Sequence, residues 1–262
     1  MELAVDGNRV FAATGGRPFD ATQPAVVFIH GAGMDHTVWA LQARYFAHHG
    51  RSVLAVDLPG HGRSGGELLR SIGAMASWLV KLLDAVGLAS AAFVGHSMGA
   101  LIALEAAGSA PARARSLALL GVAARMPVHP DLQSAADGNR RLGPELVTSW
   151  GHGPSGHLGG NPAPGLWIMG GSLQLLERAP PGALAADLAA CNAYDGAVAA
   201  AARVACPTLL LLGGLDRMTP PAKAAPLAEA IKTARTVTLA GAGHMLMSER
   251  PDAVIDALRK AI

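Results

Sequence analysis

Six short apolar runs punctuate the chain: Val26-Val27-Phe28-Ile29, Val53-Leu54-Ala55-Val56, Ala92-Phe93-Val94, Leu117-Ala118-Leu119-Leu120, Thr208-Leu209-Leu210-Leu211-Leu212 and Thr236-Val237-Thr238-Leu239. Each is too short for a helix, ends at turn chemistry and is separated from the next by a longer stretch able to form one. Such alternation is the sequence form of a parallel sheet buried on both faces by helices. Leu3 to Val5 and Val10 to Ala12, flanking Asp6-Gly7-Asn8, read as a hairpin that brings the sheet to about eight strands. The expected fold class is therefore α/β, with a mostly parallel sheet.

The covering helices are legible where periodicity is strong. Ile72, Met75, Leu79, Leu82, Leu83 and Val86 form one apolar stripe that stops at Gly87. A second helix is expected from Met98 through Ala107, before Pro111, and a third after Pro251, with Val254, Ile255, Leu258 and Ile262 on one face. From Pro127 to Val204 the alternation fails and Gly and Pro accumulate around Gly151 to Gly171. A structureless loop of that length does not fit a compact domain, so residues 127–204 read as an insertion. Its own helices are expected near Pro144 to Ser149, Ser172 to Glu177 and Leu184 to Ala202, and the core is expected in 1–126 and 205–262.

Composition narrows the function. Apolar residues make up 51% of the 262 and charged ones 15%, enough for a large buried core and against a disordered chain. The net charge is +2 with no Lys/Arg block, so nucleic acid is not an expected partner. Cys191 and Cys206 are the only cysteines and lack C-x-x-C spacing, which calls for neither a disulfide framework nor a zinc site. Acidic residues in Met1 to Asp6 do not fit a signal peptide, and no apolar run approaches the ~18 residues of a membrane span. A cytoplasmic location is expected.

Chemistry concentrates after the strands. Ala92-Phe93-Val94 runs into Gly95-His96-Ser97-Met98-Gly99 and then a helix, the strand, sharp turn, helix context that gives G-x-S-x-G its meaning. Ser97 would project from a strained turn, and the Met98 N–H at the helix start would face an oxygen that becomes negative when Ser97 attacks a carbonyl. A serine hydroxyl needs a base and the base an orienting acid. His244, in Gly241-Ala242-Gly243-His244 after the last strand, and Asp216, in Gly213-Gly214-Leu215-Asp216 after the preceding one, supply them in the order of a nucleophile-elbow hydrolase. Asp131 is a rival acid. His152 and His157 lack neighbouring ligands at metal spacing and read as packing residues, and no metal or cofactor is expected.

These motifs resemble the α/β-hydrolase fold family, esterase-like branch. Phe28-Ile29-His30-Gly31-Ala32-Gly33-Met34 resembles the family's oxyanion segment, and Asp57-Leu58-Pro59-Gly60-His61-Gly62-Arg63-Ser64 its turn after the fourth strand. The resemblance covers about 26–126 and 205–262. It implies an eight-stranded core, a helical cap formed by the insertion after the sixth strand, and a second oxyanion donor at the Ala32 N–H, paired with that of Met98. His30, His96, Asp57 and His61 are expected to be structural. Met34 and Met98 lie near the chemistry by motif, and Met34 is expected to touch substrate. Hydrolysis of small, largely apolar esters through an acyl-enzyme is the expected activity, with the ester and water as partners. Carbon–carbon bond hydrolysis of ring-cleavage diketones, drawing on Arg125, Arg140 or Arg141 for a carboxylate, and a hydrolase-like small-ligand receptor are the alternatives. Oligomeric state is left open.

Overall fold

Every one of the expected strands forms. A computed structural model describes residues 1–161 and 165–262, and residues 162–164 of the insertion lie outside it. Strands β1 (Glu2–Val5), β2 (Asn8–Ala13), β3 (Ala25–Ile29), β4 (Ser52–Val56), β5 (Ala91–His96), β6 (Ala114–Leu120), β7 (Thr208–Gly213) and β8 (Ala234–Leu239) make one eight-stranded sheet in the order β1-β2-β4-β3-β5-β6-β7-β8. The hairpin pairs antiparallel with itself and with β4, and the remaining ladders are parallel.

The interior strands are apolar on both faces because helices cover both. Along β3, Val27 and Ile29 point into one cluster and Val26 and Phe28 into the other, the two-residue period of a strand. Beneath the first face lie α2 (Ile72–Ala85), capped by the Ser71 hydroxyl, and α3 (Met98–Ser109), which is buried on nearly every side. The second face is covered by α1 (Ala40–Ala47), entered through a short turn of tighter helix at His36–Trp39, and by the C-terminal helices α10 (Leu246–Glu249) and α11 (Pro251–Leu258), while α9 (Ala225–Ala230) precedes β8 on the first. Edge strand β8 carries Arg235, Thr236 and Thr238 and is partly exposed, which suits an unpaired sheet edge.

Between β6 and β7 the chain forms α4 (Pro130–Asp137), α5 (Leu142–Gly151), α6 (Ile168–Glu177), α7 (Ala183–Ala193) and α8 (Ala197–Ala201). The single helix expected over Leu184 to Ala202 is thus two. Tyr194 leaves the helix in an extended conformation and its hydroxyl donates to Glu105 Oε2 of α3 at 2.5 Å, a tertiary bond that outweighs continued helix, and Gly196 starts α8. Helix α8 packs on α3, with Ala197, Ala200 and Ala201 buried in the core cluster. Among the described residues no helix is long and apolar enough to cross a membrane, and both cysteines are buried free thiols.

Candidate active site

Ser97 sits where β5 turns into α3, at φ +54° and ψ −118°, a backbone conformation rare for a residue with a side chain. The flanking glycines make that turn feasible. A Cβ on Gly95 would lie 2.1 Å from the Gly99 carbonyl oxygen, and one on Gly99 would lie 2.3 Å from that of Ile29. The Ser97 N–H donates to the Leu120 carbonyl at 2.9 Å, fastening the turn to β6. The Met98 side chain points into the core beneath, away from the cavity, so only its backbone is available to the chemistry.

His244 and Asp216 meet across two loops. Nδ1 of His244 donates to Asp216 Oδ2 at 2.8 Å, both residues being buried. Asp216 is held as a carboxylate by a full set of donors: the Met218 N–H at 2.9 Å and the Thr219 N–H at 2.8 Å on Oδ1, and the Thr219 hydroxyl at 2.7 Å on Oδ2. Burial alone would raise its pKa, but the His244 charge and these hydrogen bonds outweigh it and hold the carboxyl below its ordinary range. The rival Asp131 is exposed on the first turn of α4, beside His129.

Ser97 and His244 line one cavity of about 390 Å³ together with Ala32 and Met34. Its remaining wall is mostly apolar: Met126, Leu132 of α4, Val147 and Trp150 of α5, Leu188 and Cys191 of α7, and Met218. Exposed Pro127, His129 and Arg217 stand at its rim. Arg125, Arg140 and Arg141 do not line it. They are engaged by Asp195, Ser134 and Glu177 respectively, and Arg217 is the cation that faces the cavity.

The other motif histidines hold backbone. Leu58 N–H donates to His30 Nε2 at 3.2 Å, so the His30 proton is on Nδ1, which donates to the Gly31 carbonyl at 2.9 Å. His96 Nε2 donates to the His244 carbonyl at 2.9 Å, bracing the imidazole loop more than the elbow. Desolvation pushes His30 down to about 4 and His96 to about 3, so neither adds charge beside His244. Asp57 accepts from the His36 N–H and ring and from the Arg63 N–H, and His152 contacts the Thr148 carbonyl and the Ser172 hydroxyl. Asp35, His36 and Asp57 bring their ligand atoms within 4.8 Å of one another, but the Asp57 carboxylate is already spent on those N–H donors.

Several residues of the site went unread in the sequence. Thr219 carried a local signal, an Asp followed three residues later by a Thr, the spacing of a side-chain-closed turn. Glu249 carried none. Its buried carboxylate accepts from the N–H groups of Gly153 and Gly243, while the Gly151 carbonyl accepts from those of His244 and Met245 at 2.8 and 3.0 Å.

The chain is similar to known proteins over part or most of its length. The dihydrolipoyllysine-residue acetyltransferase component of the acetoin cleaving system of Cupriavidus necator is 39% identical over 118 residues, 44% of this chain and only 30% of that protein. The (E)-2-((N-methylformamido)methylene)succinate hydrolase of Acinetobacter baylyi is 24% identical over 89% of this chain and 88% of its own. The enol-lactonase of Burkholderia xenovorans LB400 superposes with a TM-score of 0.87 at 25% identity, over 99% of this chain and 98% of that one. The model of the alpha/beta hydrolase family matches residues 26–257, from β3 to α11, and the eight-stranded sheet has that fold, so the chain belongs to the alpha/beta hydrolase family.

Proposed function

We propose that the protein is a serine hydrolase that cleaves carboxylic esters of small, largely apolar substrates, with helices of the 127–204 insertion as its cap. Ser97 attacks the acyl carbonyl, His244 takes its proton, Asp216 holds the ring and stabilises the imidazolium, and the N–H groups of Ala32 and Met98 receive the oxyanion. The alcohol leaves with the proton from His244, and water then releases the acid by the same steps. The observation that carries this reading is the 2.8 Å contact of His244 with Asp216 beside a cavity that Ser97 shares. The apolar wall around Met34, Val147 and Leu188 supports acyl groups with little polarity.

The test is a panel of aryl esters graded by acyl length, run on wild type and Ser97→Ala. Sustained turnover by wild type and loss of several orders of magnitude in the variant is expected, and equal turnover would overturn the assignment. Arg217 at the cavity rim gives carbon–carbon hydrolysis of ring-cleavage diketones a cation for the substrate carboxylate. Loss of diketone colour faster than aryl-ester turnover would favour that reaction.

A further inference from the structure

The proposed oxyanion donor Ala32 lies between two peptide planes, and each is fastened by a different part of the molecule. The Gly31–Ala32 plane is fixed from the core, because the Gly31 carbonyl accepts from His30 Nδ1 at 2.9 Å and from the Met34 N–H at 3.2 Å. In a trans peptide the N–H points opposite the carbonyl, so holding Gly31 O aims the Ala32 N–H. The Ala32–Gly33 plane is fixed from the insertion, where Oδ2 of Asp187 on α7 accepts the Gly33 N–H at 2.8 Å across 154 residues.

Asp187 is itself set in place. It is fully buried, and the same Oδ2 lies 2.9 Å from Nε2 of buried His61, whose Nδ1 lies 3.0 Å from the Pro59 carbonyl. Two acceptors at the two ring nitrogens require a proton on each, which makes His61 an imidazolium. Its pKa is raised accordingly, burial opposing and the Asp187 carboxylate prevailing. Oδ1 of Asp187 has no hydrogen-bond partner among the described residues, an expensive way to bury a charge if cohesion were its sole role. Leu184 packs against Gly33, at φ +67°, so closely that a Cβ there would lie 3.0 Å from its Cδ1, and Leu188 lines the cavity. Positions 184, 187 and 188 share one helix face.

We propose that Asp187 is a positioning residue for the oxyanion hole: through the Gly33 N–H it makes helix α7 of the cap part of the device that aims the Ala32 N–H. The inference rests on the serine-hydrolase reading. Loss of the tie lets the loop shift, and misplacement of a catalytic group by about 1 Å can cost a hundredfold in rate.

The test compares wild type, Asp187→Ala, Asp187→Asn and Ser97→Ala on a small aryl ester, with a matching trifluoromethyl ketone, which adds Ser97 and places an oxyanion in the hole, as inhibitor. Asp187→Ala is expected to lower kcat by about tenfold to a hundredfold with KM changed less than about threefold, and to weaken the ketone by the same factor as kcat/KM. Asp187→Asn keeps the side chain's shape and a carbonyl oxygen for Gly33, and is expected to recover most of both. Unchanged kcat in folded Asp187→Ala, or a lowered kcat with undiminished ketone affinity, would overturn the proposal. Should Asp187→Ala fail to fold, wild-type kcat with weakened ketone binding in Asp187→Asn, or loss of both beyond a hundredfold, would also overturn it. Full turnover by Ser97→Ala would instead sink the serine reading, and the positioning role with it.

Discussion

Replacing Asp216 by Asn tests the tautomer of His244 with the ring left in place. Oδ1 of Asp216 faces two backbone donors, the N–H groups of Met218 and Thr219, while Oδ2 faces His244 Nδ1 at 2.8 Å and the Thr219 hydroxyl at 2.7 Å. An amide of the same shape must turn its carbonyl oxygen toward the two backbone donors, since an NH2 there would meet them head on. Its NH2 then faces Nδ1 and the hydroxyl, both able to accept. The imidazole is left with its proton on Nε2, and the nitrogen that should take the Ser97 proton is already occupied. The expected loss in kcat/KM is about 10⁴-fold, or about 5 kcal/mol of transition-state stabilisation. Asp216→Ala deletes more, yet leaves the Thr219 hydroxyl 3.1 Å from Nδ1 to accept its proton, so it should be no worse than Asn. Initial rates on an aryl ester, with circular dichroism to verify folding and long-range ¹⁵N spectra to read the tautomer, decide the matter. An Asn variant within tenfold of wild type would refute the reasoning.

Ser97→Ala should keep affinity for a non-hydrolysable ester analogue within a few fold by calorimetry while turnover collapses, because the hydroxyl contributes chemistry more than binding. Gly99→Ala would place a methyl 2.3 Å from the Ile29 carbonyl oxygen and 2.5 Å from that of His30, and should cost about 3 kcal/mol in urea unfolding. Gly171→Ala, at an exposed position of α6 with nothing within 4 Å, should gain about 0.5–1 kcal/mol. His30 at about 4 and His96 at about 3 titrate below their ordinary 6.5, so the unfolded chain binds the extra protons. Their contribution is complete above about pH 6.5 and drains away as pH falls through 4 and 3. Urea midpoints should decline over that window, less steeply in His96→Asn. His61 runs the other way: its raised pKa gives stability present at low pH that is lost as pH rises through the folded value.

The sheet is legible because each strand from β3 to β7 holds a short apolar run that gives way to His30, Asp57, Gly95, Gly121 or Gly213, a local pattern that needs no partner to be seen. Ser97, His244 and Asp216 stand out as candidates for the same reason, each lying in the segment that follows a strand. Helix α1 is not legible in the sequence because its buried face includes Gln42 while Leu41 is exposed, so apolar spacing does not mark which side meets the sheet. Helix α4 buries only Leu132, Ala135 and Ala136, too short an apolar repeat to mark a helix, and α7 and α8 read as one because alanine-rich sequence on both sides hides a break made by Tyr194 reaching Glu105. Glu249 and Asp187 were beyond local reading, since their backbone partners Gly153 and Gly33 stand 96 and 154 residues away.

The bonds from the Gly151 carbonyl to the N–H groups of His244 and Met245 bear on how substrate gets in and product gets out. Helix α5 ends at Gly151, so it cannot lift away from the loop that carries His244 without breaking both bonds. With those bonds intact the cavity opens beside the exposed Pro127, His129 and Arg217, and that fixed opening would limit the width of whatever reaches Ser97.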